Sequence, residues 1–382
     1  MAVSAGLIAF GLVVAVKPVF AIALVLAGVG IAAAVTRPQA VGFVSIIALG
    51  LVPVYAAPAM GPLVTHPSVL AGWLAAGGLL LLVYLGRSTV TLNVVDLAMV
   101  GFFGLFALAV LFEARERGEY ITLVFSTLGP YLAMRMLVPR LDPTWLPRAF
   151  AAATLLSLPF VLHEAITGTS LFSSLEFNPV EAATWGESQT RFGVPRAEGA
   201  FGQAISLSQF AGTAMLLALG AAVMTHRVAV RRIWMLVIVA GAAMMALSYS
   251  RTGWLIFGVG VVFIALAVTT GRTRARLLWT LAAVIGLGAT ALFASGLSET
   301  VLRLVNDDSL EGSNDFREIL LQRALRGEGI AWFGLPDSPL GAGIDGAASS
   351  IDNAFLAIAA DWGWAGMIGL IGVGLAVASV LW

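Results

Sequence analysis

Apolar blocks of about 20 residues recur along the whole chain. That is the length that carries a helix, at 1.5 Å per residue, across a ~30 Å hydrocarbon layer. Hydrophobic residues make up 59% of the 382 and charged residues 11%, against roughly 25% charge in a typical soluble domain. Too little polar surface remains to cover even one large body in water. The chain therefore reads as an all-α, polytopic transmembrane helical bundle, residues 1–382 forming one integral membrane domain. Nucleic-acid binding, secreted disulfide scaffolds and cytosolic catalysis are set aside on the same ground. The absence of cysteine removes disulfides, thiolate nucleophiles and Cys-containing metal sites. The scattered His66, His163 and His226 argue against a His-rich metal site.

The apolar runs predict about twelve crossings, at 2–16, 18–35, 40–58, 69–86, 93–112, 120–138, 147–163, 204–224, 233–250, 253–270, 277–295 and 354–382. No basic stretch precedes the first run, so it reads as half of a helical hairpin rather than a cleaved signal. With the N-terminus in the cytoplasm, Arg37, Arg87, Arg140, Arg148, Arg227, Arg231, Arg232, Arg272, Arg274 and Arg276 fall on the inner side. Only Asp142 opposes them there, which satisfies the positive-inside rule. Two long segments, 164–203 and 296–353, then become outer, periplasm-facing loops. No internal repeat of the kind common in transporters is evident.

Three segments near the outer side carry candidate chemistry. The first runs from Arg191 through Arg196 and Gly199 to Gly202 and Gln203. Its glycines let backbone amides approach an anion, and its arginines offer planar forks for phosphate oxygens. A solvated loop with ordinary surface arginines explains the same residues. The second, Ser248-Tyr249-Ser250-Arg251-Thr252-Gly253-Trp254, holds an arginine between two apolar runs, either snorkelling to headgroups or holding a lipid-linked phosphate. In the third, Asn314-Asp315-Phe316-Arg317 leads into a short amphipathic helix bearing Arg323 and Arg326. A Pro339-x-Gly341-x-Gly343 turn follows, then Asp352-Asn353 before the last run. Arg317 and Arg323, six residues apart, do not share a helix face. Asp352 is either a helix cap or a carboxylate that accepts a hydroxyl proton, and the two roles are compatible.

The order of these parts resembles the O-antigen ligase / O-antigen polymerase superfamily of bacterial surface glycan assembly. Arg196-x-x-Gly199-x-Phe201-Gly202 comes first, then Ser250-Arg251-x-Gly253-Trp254. An arginine-led segment, a Pro-x-Gly-x-Gly turn and Asp352-Asn353-x-x-Leu356 ending in Gly363-x-x-Gly366 complete the set, over roughly residues 190–375. The resemblance implies transfer of a glycan from a polyprenyl-diphosphate carrier to an acceptor sugar hydroxyl outside the inner membrane. Arg196, Arg251, Arg317 and Arg191 would bind the diphosphate, and Asp352 with Asn353 would activate the acceptor. No metal, cofactor or nucleotide sugar is expected, because arginines can neutralise the leaving diphosphate. The related ligases typically place a histidine before the asparagine. Here that residue is Asp352, which favours the polymerase branch over a ligase that joins the glycan to a lipid or protein. The expected partners are the lipid-linked donor, the glycan acceptor, membrane lipids and proteins of a polysaccharide assembly complex. The family also leads one to expect one or two crossings beyond Trp382.

Other functional classes remain. A polysaccharide or lipid transporter or flippase would use polar residues inside the crossings, where Arg135 and Asp96 stand out. A peptidoglycan glycosyltransferase of the shape-and-division family also handles polyprenyl diphosphates, but its motifs are not found. A purely structural membrane partner needs no site at all.

Overall fold

The computed structural model describes residues 35–53, 59–60, 63–64, 66–87, 89–112, 117–140, 142, 144–172, 190–191, 194–265 and 354–381, with single positions at 28, 32, 33, 322, 323, 326, 332 and 333. Their regular structure is helical apart from two antiparallel ladders of two-residue strands, β1 (Ala59–Met60) with β2 (Leu63–Val64) and β3 (Thr190–Arg191) with β4 (Val194–Pro195). The helices are α1 (Pro38–Leu51), α2 (Pro67–Tyr84), α3 (Val94–Leu111), α4 (Arg117–Leu137), α5 (Trp145–Thr167), α6 (Ala204–Met224), α7 (Val228–Leu247), α8 (Arg251–Phe263) and α9 (Ala354–Leu381). Five segments among the described residues are long and apolar enough to cross a membrane: Val94–Leu111, Tyr120–Arg140, Trp145–Thr167, Ala204–Met224 and Val228–Leu247. The chain is a helical membrane protein. The expected runs at 2–16 and 277–295, and most of 18–35, lie outside the described residues.

Local signals explain the helix boundaries. Proline opens both α1 and α2, where its missing N–H is no loss. Asn93 and Asp96 form a capping box on α3, with Asp96 N donating to Asn93 Oδ1 at 2.9 Å and Asn93 N donating to Asp96 Oδ2 at 2.8 Å. Asp96, which the sequence presents as a polar residue inside a crossing, thus serves a helix start. Gly168, at φ 70°, terminates α5 in the left-handed conformation. That terminus lies four residues beyond the expected end of the crossing at 163.

The chain divides into two compact units, residues 1–90 with 125–261 and residues 91–124 with 262–382. In the first unit the core gathers Ile46, Trp145, Leu207, Phe210, Met215, Met244 and Met245. Leu79, Met136 and Leu137 join α2 to α4, and Ala218, Ala222, Trp234 and Val237 join α6 to α7. Small residues set the closest crossings. A Cβ on Gly253 of α8 would stand 2.2 Å from the Ser208 carbonyl oxygen of α6, and one on Gly212 would stand 2.6 Å from the Gly253 carbonyl oxygen. Without a hydrophobic driving force inside a bilayer, such backbone approach is a main source of helix association. Large apolar side chains such as Val239, Leu255 and Val259 remain exposed, a pattern suited to lipid.

In the second unit α3 packs on α9. Phe106 meets Trp362 edge to face at a centroid separation of 4.4 Å, and a Cβ on Gly369 would stand 3.1 Å from Phe102. The α9 backbone leaves helical geometry at Gly363, φ 69° and ψ −167°, a conformation that glycine alone adopts without strain.

Candidate functional site

The packing gives the first unit two unlike ends. At one end the start of α1 meets the α4–α5 turn, since Trp145 Nε1 donates to the Gln39 carbonyl at 3.1 Å. The α2 C-terminus packs beside Met136 and Leu137, and the α6–α7 connection follows Ala222. Arg37, Arg87, Arg140, Arg148, Arg227, Arg231 and Arg232 all gather here and all are exposed. The C-terminus of α5, the turn before α6 and the α7–α8 connection meet at the opposite end.

That second end is built around a buried carboxylate. Glu164, only 2% exposed, sits in the last turn of α5. Its Oε2 accepts the Gly199 amide at 2.7 Å and the Glu198 amide at 3.1 Å. The donating backbone opens a 3₁₀ turn, Gly199–Phe201, with positive φ at Gly199 (56°) and at Gly202 (60°) just after it. Glycine makes this geometry accessible, and a Cβ on Gly199 would also press on Val161 at 3.1 Å. The anion that these amides approach is thus the chain's own Glu164. Ala197, Glu198, Gly199 and Ala200 are buried, so this stretch is not a solvated loop.

The turn is tied to the α7–α8 connection. Arg196, half-buried, donates from Nε to the Ser248 carbonyl at 3.0 Å, and Ala197 N donates to the Leu247 carbonyl at 3.1 Å. Ser208 of α6 completes the tie: its Oγ accepts the Gly253 amide at 2.9 Å and donates to the Ser250 carbonyl at 3.3 Å. Between them Tyr249 adopts φ 49°, which costs a non-glycine residue about 1–2 kcal/mol. The Ser248 hydroxyl holds this bend by donating to the Met245 carbonyl at 2.8 Å and accepting the Ser250 amide at 3.3 Å.

Two of the motifs read from the sequence, Arg196 to Gly202 and Ser250 to Gly253, are therefore brought into backbone contact. Arg251 is the first residue of α8, three positions after the carbonyl that holds Arg196. Arg191 ends strand β3. Arg317, Asp352 and Asn353 lie outside the described residues, as do 173–189 of the first expected outer loop and most of the second, 296–353. Arg326 N donates to the Gln322 carbonyl at 3.0 Å, one helical turn within the expected amphipathic helix. Sequence reading misses Glu164, which falls at the start of the expected outer loop, and Ser208, which carries no signal inside an apolar run. Among the described residues no group of three or more His, Asp or Glu is placed to hold a metal. Comparison with family models, curated proteins and solved structures gives no match.

Proposed function

We propose that the chain is a metal-independent membrane glycosyltransferase of the O-antigen polymerase type. It would move a glycan from a polyprenyl-diphosphate carrier to an acceptor sugar hydroxyl. The observation that carries this reading is the contact between the Arg196–Gly202 turn and the Ser248–Gly253 connection, more than forty residues apart in the chain. Two arginine-bearing segments share the end of the first unit opposite its exposed arginine cluster. That opposition also supports the orientation: N-terminus and arginine cluster in the cytoplasm of a bacterial cell, about twelve crossings of the inner membrane, and the reacting end outside.

In this reading Arg196, Arg251, Arg317 and Arg191 hold the donor diphosphate by charge-assisted hydrogen bonds. The acceptor hydroxyl attacks the anomeric carbon, its proton passes to the Asp352 carboxylate, and the bond from that carbon to the phosphate oxygen breaks. Polyprenyl diphosphate leaves with the bonding electrons, its developing charge met by the guanidinium groups. Asn353 orients Asp352 or the acceptor. Transport of intact lipid-linked glycan is the contrasting function. Asp96 in a capping box and Glu164 on two amides already have structural work, which supports the enzyme.

The test uses purified protein in proteoliposomes with a synthetic polyprenyl-diphosphate oligosaccharide and a sugar acceptor. Release of polyprenyl diphosphate with growth of the acceptor is expected. Arg196→Ala, Arg251→Ala and Arg317→Ala should each lower it about tenfold or more, and Asp352→Asn about 10²–10⁴-fold. Movement of intact donor across the bilayer without release would replace transfer with transport, and transfer onto a lipid acceptor alone would indicate a ligase.

A further inference from the structure

The arginine-rich end holds a cavity that the proposed transfer does not use. It has a volume of 540 Å³ and opens between the start of α1, the 3₁₀ turn Val138–Arg140 and the start of α5, with Arg37, Gln39, Phe43, Arg140 and Trp145 on its walls. We propose that this cavity binds a phosphate-bearing anion, the headgroup of a membrane phospholipid with net negative charge.

Three features define the ligand. Among the described residues the walls carry two guanidinium groups and no carboxylate. The nearest acid in sequence, Asp142, is turned to Thr144, whose amide and hydroxyl it accepts at 2.7 and 2.8 Å. The Arg37 guanidinium makes no hydrogen bond or ion pair among the described residues. Arg140 is steadied by a bond from Nη1 to the Met136 carbonyl at the end of α4. The Arg37 fork suits phosphate oxygens, and the positive charge of Arg140 beside it adds to the attraction.

The base of the cavity is rigid and apolar. Trp145 is buried, its indole nitrogen bonded to the Gln39 carbonyl. Its ring lies against α1 where Gly42 has no side chain, since a Cβ there would stand 2.7 Å from the ring. One turn along α1 from Ala40, which also lines the cavity, Val44 is 59% exposed. An amphiphile can thus place its phosphate between the arginines and run an acyl chain down the helix. Free phosphate would use only the rim. Basic pockets between the ends of membrane helices favour anionic headgroups for these reasons.

The test is native mass spectrometry of the full chain released from nanodiscs containing phosphatidylglycerol and phosphatidylcholine. The wild type should retain phosphatidylglycerol, and R37Q/R140Q should retain about tenfold less or lower. R231Q/R232Q, which removes two exposed arginines at the same end but outside the cavity, should retain it as the wild type does. R37Q alone breaks no bond among the described residues, so it gives the same reading if the double variant misfolds. Equal loss in R231Q/R232Q would reduce the effect to general surface charge and overturn the site. Undiminished retention in the Arg37 variants, or equal retention of phosphatidylcholine, would overturn it as well. In detergent, phosphatidylglycerol should raise the unfolding temperature more than inorganic phosphate at the same concentration. An equal rise would make it a free-phosphate site and overturn the lipid assignment.

Discussion

The two ends of the first unit handle charge in opposite ways. At one, seven arginines stand exposed around helix termini. At the other, Glu164, Glu198, Ser208, Ser248 and Ser250 are buried, and hydrogen bonds tie the side chains of Glu164, Arg196, Ser208 and Ser248 to backbone amides and carbonyls. Exposed charges near a membrane surface contribute to orientation and lipid contact while adding little to stability. Buried polar groups fix geometry, because each one left without a partner costs about 1–3 kcal/mol. The same residue type therefore has different work at the two ends. Arg231 is replaceable for folding, whereas Arg196 is a tie between two chain segments.

The largest effect should come from adding volume where that interlocked end approaches backbone to backbone. Gly253→Val would drive a side chain into the Ser208 carbonyl, 2.2 Å from where a Cβ must sit. Neither partner is a flexible side-chain tip, so a loss above ~4 kcal/mol is expected. It would show as little monodisperse protein in detergent size-exclusion chromatography. Gly258→Ala, in the same helix with nothing within 4 Å of the added Cβ, should be neutral or gain up to about 1 kcal/mol in helix propensity. Equal behaviour of the two variants would break the account of α6–α8 packing.

Glu164 gives the next effect. Glu164→Ala leaves the Glu198 and Gly199 amides buried without an acceptor, an expected loss of about 2–4 kcal/mol in thermal unfolding. Glu164→Gln keeps an acceptor oxygen and should lose about half as much. The paired measurement at the other end is Arg231→Gln, expected within ~0.5 kcal/mol of the wild type. A Glu164→Ala protein as stable as Arg231→Gln would erase the difference between the ends.

How these features stood in the sequence follows from the range of the forces involved. The crossing at 204–224 coincides with α6 because hydropathy alone sets it. The crossing at 147–163 stopped short because Glu164 looks like a boundary when its partners, 34 and 35 residues away, are out of view. Glycines 199 and 202 announced a turn that brings amides to an anion, but the anion's identity depends on tertiary packing. Arg196 and Arg251 were grouped by motif order, while the bond that brings their segments together runs through the Ser248 carbonyl, a backbone group no side-chain pattern can mark. Asp96 reads in the sequence as a polar residue inside a crossing for a related reason: its capping role depends on a reciprocal bond with Asn93.

The smallest effects should appear on acidification, and they should arrive at the two ends in order. His66 lies at the interlocked end, capping α2. Nε2–H donates to the Val52 carbonyl at 2.8 Å, and Nδ1 accepts the Ser68 amide at 3.2 Å. Burial lowers its pKa below the usual 6.5, against the opposing pull of the Val52 carbonyl. The folded state therefore binds the proton less readily than the unfolded chain. Stability is complete above pH 6.5 and declines below it, as the unfolded chain takes up a proton that the cap refuses. The loss should stay within about 1 kcal/mol, the usual worth of a cap. Asp142, exposed at the arginine end, has its carboxyl held below the usual 3.8 by the Thr144 amide and then by the Thr144 hydroxyl. Its contribution is present above pH 3.8 and fades only below it. Unfolding midpoints between pH 7 and 5 should thus fall in the wild type and in Asp142→Asn alike. His66→Asn, which retains a capping oxygen without titrating there, should flatten the slope. A slope that survives His66→Asn but vanishes in Asp142→Asn would reverse the assignment and place the acid-sensitive contact at the arginine end.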